Sequence, residues 1–197
     1  MKVEYMGGGF SPGEFPEIDL PEVAFVGRSN VGKSSLINML VGQRQLARVS
    51  SRPGRTQAIH FFSINERFTL VDLPGYGYAE APKSVRKAWK PLIEAYLSER
   101  EPLKAVLLLV DIRREPGDIE KDLSEALIEA GIRLILIVTK ADKEAKTRRA
   151  GRGQKIAAKL GIPAKDVHIV SSLKREGRQE LLDRIHKDLI QEKKHGR

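Results

Sequence analysis

Gly27-Arg28-Ser29-Asn30-Val31-Gly32-Lys33-Ser34 is the stretch that decides the fold. It fits G-x-x-x-x-G-K-[ST], a spacing in which backbone N–H groups wrap a polyphosphate, a lysine reaches the terminal phosphates and a hydroxyl is left for Mg²⁺. Glu22-Val23-Ala24-Phe25-Val26 before it reads as a short buried strand, and Ser35-Leu36-Ile37-Asn38-Met39-Leu40 after it as the first turns of a helix. That helix aims its positive N-terminus at the phosphates. The loop from Gly27 to Ser35 is therefore expected to cradle the ligand, with Lys33 as the charge on the terminal phosphate and Ser34 as a metal ligand.

Working outward, short apolar runs alternate with longer amphipathic segments, which is the pattern of βα units. Strands are expected at 22–26, 58–64, 68–72, 105–111, 134–139 and 167–171, and helices at 33–40, 82–98, 117–130, 148–160 and 176–192. The expected fold is α/β, a three-layer phosphate-loop domain with a mostly parallel six-stranded sheet and helices on both faces. Residues 1–20, with Gly7-Gly8-Gly9, Pro12, Gly13 and Pro16, read as an irregular leader, 21–192 as one domain, and 193–197 as a basic tail.

The totals narrow the class. The chain has 197 residues, 41% hydrophobic and 31% charged, so it is disordered by composition nowhere and has room for a substantial core. Its longest apolar run, Ala105 to Val110, falls well short of the roughly 20 residues a membrane helix requires. With no cysteine and no signal peptide, a cytoplasmic protein held by packing is expected, without membrane contact. His60, His168, His186 and His195 show no ligand spacing, which argues against a zinc site.

Three further boxes follow in order. The loop from Arg44 to Gln57 precedes a strand, where a hydroxyl must reach the metal once the γ-phosphate is present; Thr56 is the favoured residue, with Ser50 and Ser51 competing. Asp72-Leu73-Pro74-Gly75 puts a carboxylate at a strand's end to hold the Mg²⁺ through its water, and a glycine, Gly75, whose N–H approaches the γ-phosphate. Thr139-Lys140-Ala141-Asp142 supplies a carboxylate for the guanine N1–H and exocyclic amine, with the Lys140 stem along the base plane. Adenine offers no matching donors, and sites built on such pairs reject the wrong ligand by about 10⁴ to 10⁵. Ser171-Ser172-Leu173 supplies a backbone N–H for the guanine carbonyl oxygen. GTP or GDP with Mg²⁺ is the ligand these boxes point to.

In wording as well as order these boxes resemble the EngB family, also called YihA or YsxC, of translation-factor-class GTPases. The resemblance rests on Leu20 to Asn38, Pro53-Gly54-Arg55-Thr56-Gln57 and Val71-Asp72-Leu73-Pro74-Gly75-Tyr76-Gly77-Tyr78-Ala79, and runs from Leu20 to the C-terminal helix. It implies a Mg²⁺-dependent GTPase needed for assembly of the large ribosomal subunit and associated with cell division and septation. Thr139 stands where many GTPases carry asparagine. By the same resemblance Asn30 helps bind a K⁺ that takes the place of an arginine finger; Arg28 or Arg55 supplying charge in cis is the alternative. Tyr76 follows the D-x-x-G box where glutamine often orients the attacking water, so slow intrinsic turnover accelerated by a partner is expected. Lys33, Thr56, Gly75 and Asn30 are thus the expected catalytic set.

The net charge of +9 leans towards a polyanionic partner. Residues 139–160 hold eight basic side chains against two acidic, a net six of those nine charges. Arg148, Arg152, Lys155 and Lys159 stack on one helical face, and Lys83, Arg86, Lys87 and Lys90 form a second stripe just after the D-x-x-G box. Both are candidate contacts to ribosomal RNA of a large-subunit precursor, with the chain acting as a monomer. Trp89, beside Leu92, Ile93 and Tyr96, reads as packing. The competing reading is a GTP-regulated module that binds a division protein without touching RNA.

Overall fold

The structure, a computed structural model, describes residues 1–43, 46, 58–77 and 83–190, excluding the side chains of 83–89 and 188–190. Twelve principal elements run in the order β1 (Val3–Gly9), β2 (Glu22–Gly27), α1 (Lys33–Val41), β3 (Ile59–Ile64), β4 (Phe68–Asp72), α2 (Lys83–Glu99), β5 (Leu103–Asp111), α3 (Asp118–Glu129), β6 (Arg133–Thr139), α4 (Lys146–Lys159), β7 (Val167–Ile169) and α5 (Arg178–Ile190). One sheet has the order β1-β3-β4-β2-β5-β6-β7. The pairs β1–β3 and β3–β4 are antiparallel; β4–β2–β5–β6–β7 is parallel throughout.

Strands buried on both faces read as continuous apolar runs, and β2 and β5 divide their side chains between two cores by period-two alternation. Ala24, Val26, Val106, Leu108 and Val110 pack on one face against Leu92, Ile93 and Tyr96 of α2, Leu127 of α3 and Ile156 of α4. Val23, Phe25, Leu107 and Leu109 pack on the other against Leu36, Ile37 and Leu40 of α1 and Leu181, Leu182 and Ile185 of α5. Three layers result, and all parallel strands end at the edge where the phosphate loop begins.

The sheet has seven strands rather than six, because part of the leader expected to be irregular is β1. Its glycines are there for close approach. A Cβ at Gly8 would lie 2.7 Å from the Ile59 carbonyl oxygen, and one at Gly9 would lie 2.7 Å from Glu14 Cβ. Gly7, at φ +133°, sits where the β1–β3 register slips by a residue. Tyr5 packs on Phe62, ring centroids 5.4 Å apart, and Phe15 lies 5.6 Å from Phe61 and 5.9 Å from Tyr96. The expected helix at 176–192 begins at Arg178, and the tail 193–197 lies outside the described residues.

At the root of β2 the Glu22 carboxylate is wholly buried. Arg100 grips it through Nη2 at 2.7 Å and Nε at 3.0 Å, and the Tyr96 hydroxyl donates to it at 2.9 Å. Arg100 also donates to the Pro16 carbonyl at 2.8 Å, so one guanidinium joins the leader, α2's end and the strand that carries the phosphate loop. Removing one partner of such a pair leaves a buried uncompensated charge. Arg100→Ala is expected to lower the unfolding free energy by about 3–5 kcal/mol in urea denaturation of the nucleotide-free protein. A loss under about 1 kcal/mol, typical of an exposed pair, would contradict this assignment.

Candidate nucleotide-binding site

β2 ends at Gly27, where a Cβ would meet Leu109 Cβ, the Leu109 carbonyl and Val31 Cγ1, each at 3.0 Å; only glycine lets the loop leave β2 this close to β5. Asn30 (φ +63°) and Gly32 (φ +106°) reverse the backbone. Gly32 caps α1, and the Leu36 N–H to the Gly32 carbonyl, at 2.9 Å, is an early bond of the helix. The N–H groups of Lys33, Ser34 and Ser35 ahead of it are those a helix cannot satisfy internally, which makes this terminus an anion site.

Two side chains from the end of β6 hold the loop. The Thr139 hydroxyl, 2% exposed, donates to the Val31 carbonyl at 2.7 Å. The Lys140 ammonium donates to the Asn30 carbonyl at 2.7 Å. Thr139 therefore does tether the loop, by its hydroxyl, where many GTPases use an amide. Lys140 adopts a left-handed backbone (φ +57°) that turns the chain back towards the loop.

The D-x-x-G segment docks on the same loop. Asp72, 3% exposed, is ion-paired with Lys33. Ser29 N–H donates to the Tyr76 carbonyl at 2.7 Å, and a Cβ at Gly75 would meet Ser29 Oγ at 3.2 Å, so both glycine and carbonyl lie against Ser29. The Tyr76 side chain turns into the core: it is 5% exposed, and burial first and the Glu120 carboxylate second push its phenol well above its ordinary range. It remains a neutral phenol packed beside Glu120 of α3. A polar cavity of about 310 Å³ runs beside the loop, walled by Arg28, Ser29 and Asn30 on one side and Asp111, Arg113 and Lys140 on the other.

The end expected to read the base is organised around Asp142. Ser171, wholly buried, donates to its Oδ1 at 2.6 Å, and this bond, foremost among several contributions, lowers the carboxyl's pKa below the ordinary value. Asp142 is thus held ionised, its Oδ1 oriented by Ser171. The Ala141 N–H donates to the Val170 carbonyl at 3.0 Å, and Ser171 exchanges backbone bonds with Glu176, fixing the Ser171-Ser172-Leu173 turn beside it. Gly177, at φ +77°, closes that turn where a Cβ would lie 2.6 Å from the Ile169 carbonyl. Leu173 stands 74% exposed at its rim.

The structure brings Gly27 through Ser35, Asp72, Gly75, Thr139, Lys140, Asp142 and Ser171 through Leu173 to one edge of the sheet. Thr56, with Ser50 and Ser51, lies outside the described residues, as does Tyr78. The side chains of Lys83, Arg86, Lys87 and Trp89 are also outside them. The α4 stripe is less free than its spacing implies: Arg148 pairs with Glu144 at 2.8 Å, Lys159 with Glu115 at 2.8 Å, and Arg152 with Glu115 and the Ile112 carbonyl. Lys90 lies 3.6 Å from Glu94. Two residues the boxes do not contain, Asp111 and Arg113, stand beside Lys140; the signal for the first was its place at a strand's end, the position Asp72 also occupies.

A family model described as "50S ribosome-binding GTPase" matches residues 22–140. The chain is 51% identical over 182 residues to a "probable GTP-binding protein EngB" of Syntrophotalea carbinolica, covering 92% of this chain and 88% of that protein. The chain belongs to the EngB family of GTP-binding proteins. An EngB relative from Pelobacter propionicus is 47% identical over 190 residues, covering 96% of this chain and 93% of that one. Among solved structures, a "probable GTP-binding protein engB" superposes with a TM-score of 0.72 at 26% identity, covering 85% of this chain and 98% of that one. EngB membership makes this a GTPase domain.

Two substitutions test the site. Thr139→Val removes the donor to the Val31 carbonyl and is expected to weaken GDP binding roughly tenfold in a fluorescent-nucleotide titration, with Thr139→Ser restoring it. Asp142→Asn exchanges an acceptor for a donor and is expected to shift preference from guanosine towards xanthosine nucleotides. An unchanged preference in competition assays would remove Asp142 from base recognition.

Proposed function

We propose that this GTPase is a Mg²⁺-dependent, K⁺-stimulated cytoplasmic switch whose nucleotide state controls its association with a precursor of the large ribosomal subunit, and that normal cell division and septation require it. The observation that carries the switch is the Ser29 contact: the loop that must offer the Gly75 N–H to a γ-phosphate is hydrogen-bonded to the phosphate loop and leads into α2. A γ-phosphate arriving between them changes what Gly75 binds, and α2 with Lys90 follows. The family description and the relatives' names support the ribosomal and GTP parts of this reading.

Mg²⁺ fits the residues present: Asp72 is a buried carboxylate on which the Lys33 ammonium already sits, and Ser34 follows Lys33 at the helix N-terminus. One carboxylate and a hydroxyl are a donor set suited to a hard cation completed by substrate phosphates and water. Ser34, Thr56 and, through water, Asp72 would hold Mg²⁺ there, and the ion would supply charge neutralisation on the phosphates. Lys33 releases Asp72 to reach the terminal phosphate, the loop N–H groups take its oxygens, and Gly75 N–H holds it in line for attack by water. Asp142 and the Ser171 turn hold the base.

Tyr76, the residue after the D-x-x-G box, turns its side chain into the core and is not available to orient the attacking water. With Tyr76 buried against α3, charge stabilisation would come from K⁺ held by Asn30 or from a partner; an arginine finger in that place is worth about 10³ to 10⁵ in rate. Slow turnover alone, faster in K⁺ than in Na⁺ at equal ionic strength, is the expected result; equal rates in the two salts would take Asn30 out of the mechanism.

On the partner side, exposed ion pairs are worth roughly 0–1 kcal/mol, so Arg148 (73% exposed) and Lys159 can exchange their carboxylates for RNA phosphates, while Arg152 (24%) is held. Lys155, exposed on the same helix, joins them. Co-sedimentation with large-subunit precursors in the GTP state, weakening steeply with salt, is expected. Reversing charge at Arg148 and Lys155 should lower it without altering GTP affinity. Binding to a division protein with no ribosomal co-sedimentation at moderate salt would favour the regulatory-module reading instead.

A further inference from the structure

Asp111 closes β5 directly opposite Thr139 in the β5–β6 register and is 3% exposed. Its Oδ1 accepts the Arg113 backbone N–H and Nε, both at 3.0 Å, and its Oδ2 accepts Arg113 Nη2 at 2.7 Å. Oδ2 also faces the Lys140 ammonium at 3.1 Å, the same ammonium that donates to the Asn30 carbonyl. Burial works to raise the carboxyl's pKa, but the hydrogen bonds from Arg113 and Lys140 outweigh it and hold the group well below the usual carboxylate range.

A local turn accounts for only half of this. Accepting the N–H two residues on, with the Arg114 N–H returning to the Asp111 carbonyl at 2.8 Å, is what an aspartate does to shape a loop. That uses Oδ1 and the main chain. Oδ2 is turned to Lys140, and the planar Arg113 fork fixes the carboxylate's rotation so that it stays there. The Lys140 stem has four rotatable carbons and an ammonium that would otherwise hydrate; a carbonyl alone, with no counter-charge, is a weak anchor for it.

We propose that Asp111, clamped by Arg113, is a positioning residue that sets Lys140 between the guanine base and the Asn30 carbonyl, so that base recognition and phosphate-loop shape are coupled through one ammonium. Base contact along the Lys140 stem and the orientation of the Asn30 peptide then change together: a base that displaces the stem loosens the loop, and a loosened loop frees the stem. This coupling lies within the isolated protein and is independent of any partner.

The test is a double-mutant cycle on the full chain, read by stopped-flow release of fluorescent GDP. Asp111→Asn is expected to speed release roughly tenfold, and to raise KM for GTP more than it lowers kcat. In a Lys140→Ala background the same substitution is expected to add nothing, because the ammonium it acts through is gone. Release factors that multiply in the double variant would make Asp111 an ordinary loop residue and overturn the proposal, as would an unchanged rate in the single variant. If Asp111→Asn does not fold, Arg113→Met, at a half-exposed guanidinium, runs the same cycle under the same criterion.

Discussion

The site depends on which way the peptide groups of the phosphate loop face. A carbonyl turned towards a phosphate repels it, so the loop is a cradle only while its carbonyls are held outward and its N–H groups inward. Here that orientation is imposed from the neighbouring strand end, by a hydroxyl on Val31 and an ammonium on Asn30. The left-handed turn at Asn30 is a sparsely populated conformation for a non-glycine residue, and the Lys140 bond to its carbonyl helps hold it. Thr139 and Lys140, expected from the sequence to serve the base, are therefore also what shapes the phosphate loop.

The layers beneath exist to hold strand ends in register. β2, β5 and β6 lie side by side, and each ends in a polar residue or glycine after a run of buried apolar ones. Packing on both faces fixes their height, and the Glu22–Arg100 pair pins the far end of β2. Interiors are packed closely enough that a shift of one strand is resisted by all. That rigidity lets a hydroxyl and an ammonium reach specific carbonyls across the sheet edge.

Most of the fold was legible because its signals are short-range: apolar runs of strand length, helical periodicity, and boxes at the ends of strands. What escaped was long-range. Gly7-Gly8-Gly9 read as turn punctuation, but their role is close approach to β3 and Glu14, which only the paired strand reveals. The α4 stripe read as free charge because Glu115, which takes Arg152 and Lys159, lies in a different part of the sequence. Thr139 looked like a departure from the asparagine of other GTPases, yet the nearby Val31 carbonyl needs a donor and a hydroxyl supplies one. Asp111 carried no box at all; its partners are the residue two on and a lysine just past the end of the next strand.

The Thr139–Val31 bond spans 108 positions of the chain, and the Lys140–Asn30 bond spans 110. During synthesis, which proceeds from the N-terminus at about 5–20 residues per second, the phosphate loop leaves the ribosome long before the strand that shapes it. For those seconds the motif exists as sequence only, with its carbonyls free to turn either way. Nucleotide capture thus reports that β6 has docked, and a ligand that binds only the finished fold draws the newborn chain towards it.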